Sequence, residues 1–215
     1  MLDSKSFTGL SWKVPQTCAH KYLSKNIESI FRTFKISNEA NILDAGCGGG
    51  YILNNIYNKG YKNIWGFDVS ESGVNLGRNS YESLRDRFAL HNCYEKNLPA
   101  IFPRADYNVI LSVEVIEHLY SPMSYLENIK LWLKKGGYLI ITTPYHGYLK
   151  NLAISLAGKF DNHVDPLFEG GHIKFFSKKT LYKLLHLTGF KPLRFYGSGR
   201  LPFLWKSMVI VAEKI

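Results

Sequence analysis

The sequence predicts an α/β protein: a mostly parallel sheet with helices on both faces and an antiparallel hairpin at the C-terminal end. Three observations predict it. Short apolar runs alternate with segments of helical periodicity along the chain, the rhythm of parallel strands joined by crossover helices. The run 107–113, Tyr-Asn-Val-Ile-Leu-Ser-Val, is apolar enough to be buried on both faces, as an inner strand of such a sheet is. The last two runs, 191–196 and 206–213, are joined by a loop with no room for a crossover helix, so they run antiparallel.

Each element has its own signal. Residues 20–34 carry Tyr22, Leu23, Ile27, Ile30 and Phe31 at helical spacing, so residues 1–35 are read as an N-terminal helical cap. Residues 41–46 form a short strand that ends in a glycine turn, and 51–58 a helix that stops at Gly60. A second strand spans 63–68. A helix follows over 71–84, weakened by Gly73 and Gly77. Strands are expected at 87–91 and 107–113. Ser121 and Pro122 suit an N-cap and a first turn, starting a helix to about Lys134 that ends before Gly136-Gly137. Residues 138–143 form a fifth strand, cut by Pro144. A last helix spans 177–188, between the N-cap candidate Ser177 and Gly189.

The 215 residues, 46% of them hydrophobic, suffice for one well-packed domain over 1–215. No apolar run reaches 18 residues, which speaks against a transmembrane helix. Met1 to Lys21 lacks the apolar centre of a signal peptide. Cys18, Cys47 and Cys93 are odd in number and widely spaced, fitting a reduced, cytoplasmic protein. The net charge of +10 favours acidic partners. The basic residues are spread from Lys5 to Lys214 with no stripe interleaved with aromatics, so a nucleic-acid partner is not expected. The sequence leaves the oligomeric state open.

The chemistry is carried first by residues 42–50, Ile-Leu-Asp-Ala-Gly-Cys-Gly-Gly-Gly, and by Asp68 at the end of the next strand. A glycine turn lets backbone approach a ligand closely, and an acid about 20 residues further on is placed to grip a ribose. A dinucleotide fingerprint fails, because Tyr51 or Leu53 stands where its last glycine belongs, and no Lys follows to make a phosphate loop. What stands is D-x-G-x-G-x-G, Asp44 to Gly50. It resembles motif I of the class I S-adenosylmethionine (SAM) methyltransferases. That resemblance covers about residues 20–215 and implies a three-layer, Rossmann-like, seven-stranded sheet of order 3-2-1-4-5-7-6, with strand 7 antiparallel.

The resemblance also implies a cofactor site at the carboxyl ends of the strands. Asp44, Gly46 and Gly48 would face the methionine and ribose parts of SAM. Asp68 would take both ribose hydroxyls, which an acceptor-only carboxylate can do; its other reading is a helix cap with Ser70. An adenine contact is expected near His91-Asn92-Cys93, from Asn92 or from backbone at Cys93. Backbone at Ser112 and Val113 would hold the methionine end.

Residues 114–119, Glu-Val-Ile-Glu-His-Leu, are similar to the stretch after strand 4 in the ubiquinone-pathway O-methyltransferases, of the methyltransferase type 11/23 branch. Three readings stand side by side. His118 is a general base, with an unperturbed pKa near neutrality; Glu114, Glu117 and His118 bind a divalent ion such as Mg²⁺; or the turn is structural. Residues 144–176 are long for a strand–helix connection and read as an acceptor-covering insertion. Its Tyr145, His146 and His172 are the acceptor-pocket candidates, with His163 and Lys174 nearby. A zinc cluster of His146, His163 and His172 has irregular spacing and no cysteine nearby. Trp12, His20 and Tyr22 are candidates to close the pocket from the N-terminal side. Tyr148 to Leu156, with Leu201 to Trp205, can close over the core, hold a lipidic acceptor or touch a membrane peripherally.

The function expected is methyl transfer from SAM to a small-molecule or lipidic acceptor, most readily to oxygen. The alternatives are an RNA or protein methyltransferase using the basic surface, and a non-catalytic SAM-binding protein.

Overall fold

The computed structural model describes residues 12–14, 17–103, 106–164, 167 and 170–215; the side chains of Cys18, Asn162 and His163 are outside the description. The strands β1 (Ile42–Ala45), β2 (Ile64–Asp68), β3 (Phe88–Leu90), β4 (Tyr107–Val113), β5 (Leu133–Pro144), β6 (Phe190–Ser198) and β7 (Ser207–Lys214) form one sheet. Its order is 3-2-1-4-5-7-6. Strands β1 to β5 are parallel, and β7 pairs antiparallel with both β5 and β6. The expected fold and topology are therefore present.

The helices are α1 (Cys18–Thr33), α2 (Tyr51–Asn58), α3 (Glu71–Ser80), α4 (Pro122–Trp132), α5 (Tyr148–Leu156), α6 (Asp161–Val164) and α7 (Lys178–Leu187). Side chains alternate across each strand, so the sheet feeds two cores. Ile42, Val109, Leu111, Ile140 and Val209 pack with Leu23 and Ile27 of α1, Leu53 and Ile56 of α2 and Val74 of α3. Leu43, Ile110, Leu139, Ile141 and Ile210 pack with Leu126, Ile129 and Trp132 of α4 and Leu181 and Leu185 of α7.

Helices α3 and α4 end before the expected residues, β5 begins at Leu133 rather than at 138, and the insertion contains α5 and α6. Helix α3 stops at Ser80, and residues 82–87 wind into a 3-10 turn. Its glycines answer to packing: a Cβ at Gly77 would meet the Phe88 ring at 2.8 Å, and one at Gly73 the Gly48 backbone at 3.2 Å. Helix α4 stops at Trp132 rather than near Lys134. Trp132 is buried and its Nε1 donates to the Lys96 carbonyl at 2.7 Å. Leu133 already pairs with Tyr107, and the Gly136-Gly137 pair lies in a bulge before Tyr138 meets Val109. None of the described helices is long and apolar enough to cross a membrane.

Candidate active site

A cavity of about 380 Å³ opens at the carboxyl ends of the first four strands. Open α/β sheets place ligands there, because strand ends and loops converge on the crevice. Gly46 from the turn after β1, Asp68 from β2 and Val113 from β4 line it, with Cys93 beyond β3. Glu114 and His118, which follow β4, and His172 of the insertion also stand in its wall.

The glycine turn and Asp68 form one unit. Asp68 Oδ2 accepts the Gly48 amide at 2.7 Å and Oδ1 accepts the Ser70 amide at 2.8 Å. Burial pushes the Asp68 carboxyl up, and these amide hydrogen bonds pull it back. A carboxylate has about four lone-pair sites, so acceptor capacity remains for a ligand beside the backbone amides of Ser70, Gly48 and Val69. The N-cap of α3 is Ser70 itself, whose Oγ accepts from the Gly73 amide at 3.1 Å; Asp68 does not cap that helix. Gly46 and Gly48 have φ of +94° and +49°, conformations that glycine adopts without steric cost.

Asp44 lies behind this turn, 1% exposed, with Oδ1 unpartnered among the described residues. Burial, then the Asp68 charge, push its pKa up to about 7. A buried carboxylate held beside a second one prefers to keep its proton.

The N-terminal side closes the cavity through Trp12, Thr17 and His20. The rings of Trp12, His20 and Tyr51 stack in series, 6.0 and 5.8 Å apart and nearly parallel. His20 Nδ1 accepts the Thr17 amide at 3.2 Å, and burial lowers its pKa to about 4, so the ring is neutral. Tyr22 reaches elsewhere: its hydroxyl is 2.9 Å from Ser207 Oγ.

Glu114 has φ of +54°, a strained value for a residue with a side chain. The surroundings enforce it. Its amide donates to Thr142 Oγ1 at 3.0 Å, and its carboxylate accepts from Thr142 at 2.8 Å and Ser207 at 3.2 Å. Burial raises its pKa to about 7 against these hydrogen bonds and the Lys150 charge.

The turn 116–118 is pinned to the insertion. The Glu117 carbonyl accepts the amides of Ile173 and Lys174 at 2.9 and 3.0 Å. His118 Nδ1 lies 2.7 and 3.1 Å from the carbonyls of Gly170 and Gly171. Two carbonyls can only accept, so Nδ1 carries the hydrogen and Nε2 the lone pair. Burial lowers the His118 pKa. His172 packs against His118, ring centres 4.9 Å apart. Donor atoms of Glu117, His118 and His172 all lie within 4.8 Å of one another. Glu117 is wholly buried and both its oxygens lack a hydrogen bond among the described residues. Burial and the Glu114 charge push its carboxyl well up. The third donor beside Glu117 and His118 is thus His172; Glu114, expected there, faces Thr142 and Ser207.

Besides Asp44, Gly48 and Glu117, which stand behind the cavity wall, four expected residues lie outside it. Asn92 Oδ1 accepts the Tyr94 amide at 3.0 Å, closing a local turn, and His91 lines the cavity instead. Ser112 is fully buried with the Tyr125 hydroxyl 2.9 Å from its Oγ. Tyr145 lies in the core, edge-on to Trp205 at 5.1 Å. His146 packs on Phe175 at 5.0 Å. Chain direction explains Tyr145 and His146: the insertion leaves β5 through Tyr145 toward Trp205, and among the described residues it meets the turn 116–118 again at residues 170–174. Strand alternation could have found His91, two positions after the core residue Ala89. Of the expected histidine cluster, His163 lies outside the described side chains.

Residues 18–194 match the model of a methyltransferase domain family. The chain belongs to that family. It is 30% identical over 169 residues to the ubiquinone biosynthesis O-methyltransferase of Ruegeria sp. (strain TM1040), covering 77% of this chain and 66% of that protein. The chain thus spans just under two thirds of the length of such curated relatives. The magnesium protoporphyrin IX methyltransferase of Synechocystis PCC 6803, solved with bound SAH, superposes with TM-score 0.68 at 14% identity, over 90% of this chain and 82% of that one. The cyclase SpnF superposes with TM-score 0.69 at 15% identity, over 89% and 81%. These two likenesses are of fold alone; one neighbour is named a methyltransferase and the other a cyclase, so chemistry must be argued from the site.

Proposed function

We propose that this methyltransferase-family chain binds SAM and methylates a small-molecule acceptor, at oxygen in the first instance. The carrying observation is the Gly48 amide bound to Asp68 at the mouth of a 380 Å³ cavity. The residues fit the cofactor. Asp68 retains acceptor capacity for a ribose hydroxyl. Gly46 brings bare backbone to the wall, Gly48 under the Trp12 ring anchors Asp68, Asp44 stands behind them with an unpartnered oxygen, and Cys93, His91 and Val113 supply walls.

When bound, SAM supplies a methyl group on a sulfonium, and that reactivity is the cofactor's own. The chain orients the acceptor, excludes water and accepts a proton. His118 suits the proton-accepting role, because its Nδ1 is held by the Gly170 and Gly171 carbonyls and its Nε2 can take a hydroxyl proton. His172, Leu119 and Val115 form the acceptor side of the wall. Ubiquinone relatives named O-methyltransferases support an oxygen acceptor. The basic-surface reading, toward RNA or protein, has no comparable support.

A second reading of the same turn rests on the Glu117, His118 and His172 cluster. Two imidazoles and one carboxylate suit Zn²⁺, Fe²⁺ or Mn²⁺ better than Mg²⁺, which prefers oxygen ligands and water. The Mg²⁺ expectation therefore does not fit the donors present.

The test is calorimetry with S-adenosylhomocysteine, followed by turnover on a panel of phenolic and catecholic acceptors. Binding with acceptor-dependent release of S-adenosylhomocysteine supports the proposal. Binding without turnover, and without any effect of Zn²⁺ or Mn²⁺, moves the reading toward a SAM-binding protein.

A further inference from the structure

A second cavity, of about 570 Å³, lies between α5 and the loop joining β6 to β7. It shares no lining residue with the first. Ile154, Leu201 and Leu204 give it apolar walls, and Lys150, Lys159 and Arg200 give it charge. No acidic side chain lines it among the described residues. Lys150 is only 5% exposed, and its ammonium donates to the Lys206 carbonyl at 3.3 Å. No carboxylate oxygen lies within ion-pair distance of it among the described residues. A cation removed from water is costly when the one opposing charge acting on it, Glu114, lies beyond ion-pair distance, and Arg200 adds repulsion. Burial, then Arg200, lower the Lys150 pKa to about 8 against the Glu114 charge, which raises it, so it is still mostly charged at neutral pH.

We infer that this groove binds a single-chain anionic amphiphile, its carboxylate or phosphate monoester between Lys150 and Arg200 and its alkyl chain along Ile154, Leu201 and Leu204. An anion there relieves the Arg200 repulsion and gives Lys150 an ion-pair contact, in addition to the Lys206 carbonyl and the more distant Glu114 charge. The walls are apolar where a chain would run, and the volume is that of a small-molecule site. Exposed Leu156 and Leu201 extend the apolar track outward. A free amphiphile fits better than a membrane surface, because a headgroup fixed in a bilayer plane cannot reach an ammonium buried to this depth.

The inference stands apart from the SAM reading, and its test keeps the two distinguishable. Decyl phosphate, below its micelle concentration, is titrated into the full chain, with and without saturating S-adenosylhomocysteine. Expected are one site per chain, no displacement by S-adenosylhomocysteine, and binding at least about tenfold weaker in Arg200→Gln and in Ile154→Asp. Arg200 is exposed, so its substitution leaves the fold intact. Lys150→Met, which removes the buried charge at similar length, should abolish binding. Equal binding of uncharged decyl maltoside overturns the inference, as does indifference to both the Arg200 and Ile154 substitutions. Displacement by S-adenosylhomocysteine would assign the ligand to the first cavity and also overturn it. Capture by anionic phospholipid vesicles with no binding of the monomer would replace it with a membrane surface.

Discussion

The Asp68 carboxylate accepts the Gly48 amide at 2.7 Å, so the acid that ends β2 is held by the turn that ends β1. The ribose-binding group is thereby fixed before a ligand arrives, which reduces the ordering cost of binding. Asp68→Ala removes both this anchor and the acceptor. Hydrogen bonds to a charged group contribute about 1.5–3 kcal/mol each, so S-adenosylhomocysteine affinity should fall by about 100-fold or more. Asp68→Asn, which keeps one acceptor oxygen, should fall between. Calorimetry on the two variants checks the order, and wild-type affinity in Asp68→Ala would remove Asp68 from the site.

Gly48→Ala should be costly for two separable reasons. Its φ of +49° suits glycine, and a Cβ would come within 2.2 Å of the Trp12 ring. The backbone part costs about 1–2 kcal/mol; the rest depends on whether Trp12 can move. In a Trp12→Ala background only the backbone part should remain. A thermal-unfolding double-mutant cycle reads the coupling, and strict additivity would show that Trp12 does not cover the turn.

These two residues also show how far the sequence could be read. The glycine spacing and Asp68 were legible because the chemistry needs backbone approach and a carboxylate at a strand end, and both are local to the chain. The seven-stranded order was legible because alternation and a hairpin too short for a crossover leave few topologies. The acceptor side was not. Tyr145 and His146 sit beside the acceptor region in sequence, but packing against Trp205 and Phe175 takes them away from it. His172 arrives from across the insertion, where the amides of its neighbours Ile173 and Lys174 donate hydrogen bonds to the Glu117 carbonyl that no periodicity announces. Glu114 left the expected ligand set for a similar reason, since Thr142 and Ser207 come from β5 and β7.

His118 and His172 separate the two readings of the acceptor turn. If His118 acts as the base, His118→Gln should lower kcat by about 10²- to 10⁴-fold and leave S-adenosylhomocysteine affinity nearly unchanged. His172→Gln should then cost much less. If the cluster holds a metal, both substitutions and chelation should cost similar amounts, and added Zn²⁺ or Mn²⁺ should restore the chelated wild type. Steady-state kinetics on both variants, with and without chelator, decides between them.

Asp44 links the site to stability. Its pKa rises from 3.8 to about 7 on folding, through burial and then the Asp68 charge. The native state therefore holds this proton more tightly than the unfolded chain, and stability follows the difference in bound protons. Below about pH 4 both states are protonated and the group costs nothing. Between about pH 4 and 7 only the unfolded chain loses the proton, so stability falls as pH rises and levels off above 7. Asp44→Asn cannot ionise, and its advantage in melting temperature over the ligand-free wild type should grow from pH 5 to pH 7 and then stay constant. The same variant should bind S-adenosylhomocysteine more weakly, because it replaces the unpartnered acceptor beside the turn. Melting curves at pH 5, 6, 7 and 8 test the sign. A gap independent of pH would mean that Asp44 ionises as an ordinary carboxylate, and a gap that narrows as pH rises would mean that an opposite charge reaches it in the native state.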